Sequence, residues 1–396
     1  MELTVENGAL LLLIASLVAI LARRLDIPYS VGLILVGITA ARLPLVPDVA
    51  LTRELLFGAL LPPLIFEAAL YIRWRELRRE LPLILALATV GVLLSAVLTT
   101  LGMHYFAGWE LLSAALFGAL IAATDPVSVI AVFKDANVRG RLRLLVEAES
   151  LFNDGGAAVL FGVTLAVAAG GSVGIGNVLA ISALNVFGGI VCGASVAALV
   201  LLVAGRTQDH LVEMMLTTIA AFGSFLLAEH IHASGVLATL TAGLLIGNVG
   251  SLGSVSEKGR EAMLSFWEYV AFIVNSLIFI LIGVREARQD FGPVLPAVVA
   301  AIVLVNISRA VAVYPICLLF ARTPLRVLAR DQHVLFWGGL RGSLALALAL
   351  GLPPEIPRHD ELVTVAFGVV AFSIITQGLT IKPFLRMLGG AHGPSR

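Results

Sequence analysis

The sequence predicts an all-α, multi-pass membrane protein, and three observations predict it. Of 396 residues, 59% are hydrophobic and only 13% charged, where a soluble domain is nearer one quarter charged. Mean hydropathy is +1.01. Apolar runs of membrane-crossing length recur along the whole chain, and Lys and Arg fall on alternate loops between them. A bilayer requires each spanning segment to satisfy its own backbone, so such runs read as helices. The 26 basic and 26 acidic residues cancel. That excludes a nucleic-acid binder built on a basic face, and an acidic solvating chain.

Thirteen apolar segments are expected to span: 8–22, 29–43, 51–71, 82–106, 111–133, 141–168, 175–204, 211–228, 235–247, 262–283, 292–320, 331–350 and 360–388. The second and ninth are short. The N-terminus carries Glu2 and Glu6 and no basic stretch before its apolar run, so the first segment reads as a retained span. Placing the N-terminus outside puts 19 of the 26 Lys and Arg on the cytoplasmic side and five opposite; Arg309 and Arg341 lie within spans. That bias sets the expected topology, N-out and C-in, in the cell membrane. No soluble regulatory domain is expected, and residues 1–396 read as one transmembrane domain. Cys192 and Cys317 sit in apolar runs, without disulfide or metal-ligand spacing.

Six ionisable residues stand inside the expected spans: Glu67, Asp125, Glu149, Asp154, Arg309 and Arg341. Each costs at least ~2.5 kcal/mol at bilayer depth. Four acids against two bases leave an anionic excess that protons or cations must neutralise, and a site that trades one for the other meets that need. Asp125 precedes Pro126, which breaks a helix and lets Asp125 cap its restart. Capping and lining an ion site are compatible roles. In Glu149-Ser150-Leu151-Phe152-Asn153-Asp154, Ser150 and Asp154 are four apart and share a helix side, as do Glu149 and Asn153. A carboxylate, a hydroxyl and freed carbonyls are the oxygen ligands that hard cations take. Glu67 serves either that site or its cytoplasmic mouth.

A second break, Gly338-Gly339-Leu340-Arg341-Gly342-Ser343, interrupts the twelfth span, seven spans after the Asp125 break. The halves, about 1–170 and 208–390, therefore read as inverted repeats with matching discontinuous helices. Arg341 is expected against helix C-terminal ends. Arg309 needs an acid, and Glu149 is the choice that leaves Asp125, Asp154 and Glu67 for ions. Glu213 and Glu268 near span ends read as snorkelling or paired residues.

The ordered set of motifs resembles the sodium/proton antiporters of the monovalent cation:proton antiporter-1 group. The set comprises Phe66-Glu67-Ala68, Ala123-Thr124-Asp125-Pro126, Glu149 through Gly155, Ser234 through Ala238, Phe266-Trp267-Glu268, Asn275 through Phe279, and Gly339-Leu340-Arg341-Gly342. The resemblance implies thirteen helices with a crossed pair of unwound helices, in a homodimer. It implies Asp154 as the central cation and proton ligand, helped by Asp125, Glu67, Ser150 and the Thr124 carbonyl. Glu149 with Arg309 would be a structural ion pair. Asn153 stands where electrogenic relatives have a second aspartate, which implies one cation for one proton.

The expected function is thus exchange of Na⁺ or Li⁺ for H⁺ by alternating access, with K⁺/H⁺ exchange on the same scaffold as the alternative. No enzyme activity, cofactor or nucleic-acid partner is expected beyond the transported ions and the lipid bilayer. An intramembrane aspartyl protease would need a Gly-x-Gly-Asp element that the sequence lacks.

Overall fold

The computed structural model describes residues 5–42, 51–125, 129–130, 133, 138, 140–170, 174–207, 209–249 and 256–388. Within them every regular element is a helix, as a chain without water for its backbone requires. In chain order these are α1 Val5–Leu25, α2 Tyr29–Ala41, α3 Arg53–Tyr71, α4 Trp74–Ala107, α5 Leu111–Ile121, α6 Arg141–Ala168 and α7 Gly176–Ala204. There follow α8 His210–His230, α9 Gly235–Val249, α10 Glu257–Glu286, α11 Leu295–Leu319, α12 Ala329–Trp337, α13 Ser343–Leu350 and α14 His359–Met387.

Among the described residues nine helices are long and apolar enough to cross a membrane, while α2, α5 and α9 are shorter apolar helices. The protein is a multi-pass membrane protein. Two expected spans differ in extent. In the run 111–133 the helix stops at Ile121, residues 123–125 hold no regular structure, and residues 129–130 and 133 are helical again. The run 331–350 is two helices, α12 and α13, flanking the glycine-rich break. In both places a buried, apolar sequence continues where the helix does not. Among the described residues four helices widen into π turns, at Leu56–Leu60, Leu87–Gly91, Leu184–Gly188 and Ser373–Gln377. Such turns insert a residue and re-aim the side chains around them.

The chain divides into two compact units, each gathered from separated segments: residues 1–53, 82–153 and 275–396 in the first, 54–81 and 154–274 in the second. In the first, α4 packs on α5 and α11, and α13 on α5 and α14. Small residues set the closeness. A Cβ on Gly118 would meet the Ala96 carbonyl and Thr100 Oγ1, both at 2.5 Å, so α4 and α5 touch nearly backbone to backbone. Gly108, at φ +67°, ends α4 in the left-handed conformation that glycine adopts without cost.

In the second unit α9 is the central strut, against α3, α7 and α8. Its core holds Phe66, Trp267, Ala220, Ala221, Ala242 and Ile246. The rings of Phe66 and Trp267 lie 4.8 Å apart, and the indole N–H donates to Thr217 Oγ1 at 2.9 Å. Glu213 is 2% exposed and accepts from the N–H and hydroxyl of Ser256 at 3.2 and 3.0 Å. It is therefore a buried, satisfied group rather than a snorkelling one.

Candidate functional site

The first unit brings its two breaks together. The Asp125 N–H donates to the Leu340 carbonyl at 2.7 Å, joining the irregular residues after α5 to the break between α12 and α13. Gly342 is required there, because a Cβ on it would overlap the Asp125 carboxylate. Arg341, 3% exposed, donates from Nη1 to the carbonyls of Ala122 and Ala123 at 2.6 and 3.1 Å. Its guanidinium thus occupies the negative end of α5, as the sequence led us to expect.

A polar relay fixes the backbone of the same break. The Arg341 N–H donates to Ser373 Oγ at 2.9 Å, that hydroxyl donates to Gln377 Oε1 at 2.5 Å, and Gln377 Nε2 donates to Asn306 Oδ1 at 3.0 Å. Ser373 and Gln377 are the two ends of the π turn in α14. Sequence reasoning passed over these three residues. Their signal was a hydroxyl and two carboxamides within otherwise apolar runs, which is weak beside a formal charge.

The N-terminal half of α6 faces residues 124 and 125. Asn153 Nδ2 donates to Thr124 Oγ1 at 3.2 Å, Thr124 and Ser150 share a hydroxyl–hydroxyl bond of 3.0 Å, and Ser150 Oγ donates to the Thr124 carbonyl. Asn153 also reaches Glu149 Oε1 at 3.3 Å, across one helical turn. Glu149 pairs with Arg309 on α11 through two hydrogen bonds of 2.7 and 2.9 Å, and Arg309 Nη2 reaches the Leu335 carbonyl at 3.0 Å. Thr124, Asp125, Glu149, Ser150, Asn153, Arg309 and Arg341 are all buried. Asn153 Oδ1 is a buried acceptor with no hydrogen-bond partner among the described residues.

Asp154 is the next residue of α6, four past Ser150, and it opens the second unit; Glu67 on α3 also belongs there. Both are partly exposed. The expected capping of a restarted helix by Asp125 falls on residues 126–128, outside the described residues. What the first unit assembles is a carboxylate, two hydroxyls, a carboxamide oxygen and loosened carbonyls, with both buried cations already engaged. These are oxygen donors of the type that hard cations take.

Residues 11–387 match the family described as sodium/hydrogen exchanger, transmembrane. The chain belongs to that family. Among its relatives, the Na⁺/H⁺ antiporter ApNhaP of Aphanothece halophytica is 38% identical over 370 residues, 92% of this chain and 70% of that protein. The Na⁺/H⁺ antiporter NhaH of Halobacillus dabanensis is 33% identical, covering 96% of both. The solved structure of the sodium proton antiporter MjNhaP1 from Methanocaldococcus jannaschii superposes with a TM-score of 0.80 at 21% identity, over 100% of both chains. That likeness establishes the fold. These relatives of the family are transporters, not enzymes.

Proposed function

We propose that this chain exchanges Na⁺, and also Li⁺, for H⁺ across the cell membrane. The observation that carries the reading is the meeting of Thr124, in the irregular residues 123–125, with Ser150 and Asn153 beside a buried carboxylate, in a chain whose relatives are named Na⁺/H⁺ antiporters. Asp154, Asp125, Glu67, Ser150 and the Thr124 carbonyl form the cation and proton site. Asn153, Glu149, Arg309 and Arg341 support it.

A cation and a proton compete for the same carboxylate oxygens, so the site holds one or the other. Only the loaded forms interconvert between inward- and outward-open states. With Asn153 in place of a second acid, one cation leaves for each proton that enters and exchange is electroneutral. The whole of residues 1–396 acts as one transporter domain of thirteen spans, N-out and C-in. Inverted repeats at about 1–170 and 208–390 make up the chain, and two copies form a homodimer.

Proteoliposomes loaded with a pH-sensitive dye test this. Na⁺ or Li⁺ pulses should collapse an imposed pH gradient in the wild type, K⁺ should do so weakly, and valinomycin with K⁺ should leave the rate unchanged. Cation-driven proton movement that survives in Asp154→Ala would sink the proposal.

A further inference from the structure

The second unit carries a cavity of about 240 Å³ whose lining includes none of the residues of the proposed ion site. It lies where the corner between α3 and α4 meets the end of α9 and the first turns of α10, and Arg73 and Arg260 stand on its wall. The corner is a built feature. Asn248 accepts from the Trp74 N–H at 2.7 Å and donates to the carbonyls of Ile72 and Leu244 at 2.9 and 2.8 Å, so its side chain ties three backbone groups together. The Tyr71 hydroxyl donates to the Leu264 carbonyl at 3.3 Å, tying α3 to α10. The remaining wall is apolar, with Leu70, Ile246 and Met263.

Its charge is poorly matched from within. Arg260 has no ion-pair partner among the described residues, and Arg73 has only the exposed Glu76, at 3.3 Å. An exposed pair of that kind is worth little. The cavity is smaller than the ~300–1,000 Å³ of sites for drug-sized ligands, and so suits a single anionic group. Tyr71 and Trp74, 42% and 49% exposed, stand at the same level, and aromatic side chains with basic ones mark the headgroup layer. Loop charge assigns Arg73 and Arg260 to the cytoplasmic face, where anionic lipids concentrate.

From this we infer that the cavity binds a phosphate-bearing anion through Arg73 and Arg260, and that its source is the headgroup of an anionic lipid of the inner leaflet. The apolar wall decides for lipid over free phosphate, because it offers the glycerol and upper acyl chain a surface that inorganic phosphate does not use. The inference is independent of which cation the protein exchanges.

Native mass spectrometry of the protein from phosphatidylcholine nanodiscs doped with cardiolipin or phosphatidylglycerol tests it. The wild type should retain anionic lipid in preference to phosphatidylcholine, and Arg73→Ala/Arg260→Ala should weaken that retention about 30-fold, the effect of two cationic side chains at the surface. The paired Lys substitutions should keep most of it, and Arg206→Ala should keep all of it. Met263→Trp, which fills the cavity without changing charge, should also release the lipid, and it serves if the double variant does not fold. Equal retention in the wild type and both cavity variants overturns the site. Full displacement by millimolar inorganic phosphate overturns the lipid assignment. Glu67 and Glu268 lie four residues from Tyr71 and Leu264 respectively. A rise in the KM for Na⁺ with lipid retention unchanged would therefore make the cavity a cation mouth, and would overturn the proposal as well.

Discussion

Arg309 holds Glu149 by two parallel hydrogen bonds, Nη1 to Oε1 at 2.7 Å and Nη2 to Oε2 at 2.9 Å, with side chains only 8% and 2% exposed. The pair locks α6 to α11, and through the Leu335 carbonyl it also holds the end of α12. Each of the two buried charges is thereby neutralised by the other. A buried pair of this geometry stabilises little in net terms, but removing one partner strands a charge.

Glu149→Leu and Arg309→Met are therefore each expected to destabilise the protein by ~3–5 kcal/mol. The double variant Glu149→Leu/Arg309→Met should lose less than either single variant. Thermal unfolding of the four proteins in one detergent measures this cycle. Simple additivity of the two single losses would show that the residues do not act as a pair.

Gly342→Ala should abolish exchange while leaving the fold in place. The added methyl overlaps the Asp125 carboxylate, so it displaces either Asp125 or the break itself. Gly223→Ala on α8 is the control. Its Cβ would meet nothing nearer than 3.8 Å, and helix propensity predicts a gain of ~0.8–1 kcal/mol there. Dye-loaded proteoliposomes report the first effect and melting temperature the second.

Gln377→Leu should cost ~1–3 kcal/mol, because it removes the acceptor for Ser373 and the donor to Asn306 in a buried relay. The loss reaches the Arg341 backbone through Ser373, so turnover should fall along with stability. A variant with normal exchange at reduced melting temperature would confine the relay to a purely structural role.

Asp26, between α1 and α2, sits at φ +56° and pairs with Lys382 and, at 3.8 Å, with Arg386 on α14. The hydrogen-bonded Lys382 ammonium holds its carboxyl below the usual carboxylate range. A depressed carboxyl contributes stability above its unfolded value, and that contribution is lost as pH falls through the folded one. Asp26→Asn should therefore melt slightly below the wild type at pH 7 and together with it near pH 2, read from melting curves across that range. A difference that persists into acid would show that charge is not its origin.

Hydropathy was a dependable guide to where helices lie, because lipid leaves a polar backbone no other solution. It misplaced their ends where protein, rather than lipid, surrounds the chain. Residues 123–125 are buried and follow an apolar helix yet hold no regular structure, so the run 111–133 looked continuous. The Arg309–Glu149 pair was legible because formal charges in a membrane are few and must be matched. The Ser373–Gln377–Asn306 relay was not, since neutral groups carry no such obligation and the π turn that aims two of them has no sequence signature. The division into two units was equally hidden, being a property of contacts between distant segments.

The distance in sequence between partners also has a consequence in time. Glu149 and Arg309 are 160 residues apart. At ~5–20 residues per second, a ribosome completes Glu149 roughly 8–30 seconds before it reaches its cation. Arg341, which secures the end of α5, emerges later still. During that interval the first half of the protein is already being handed to the bilayer with an uncompensated acid, a state costing several kcal/mol if Glu149 is both charged and inserted. Insertion of α6 with its charge matched is thus completed only by residues not yet translated when it begins.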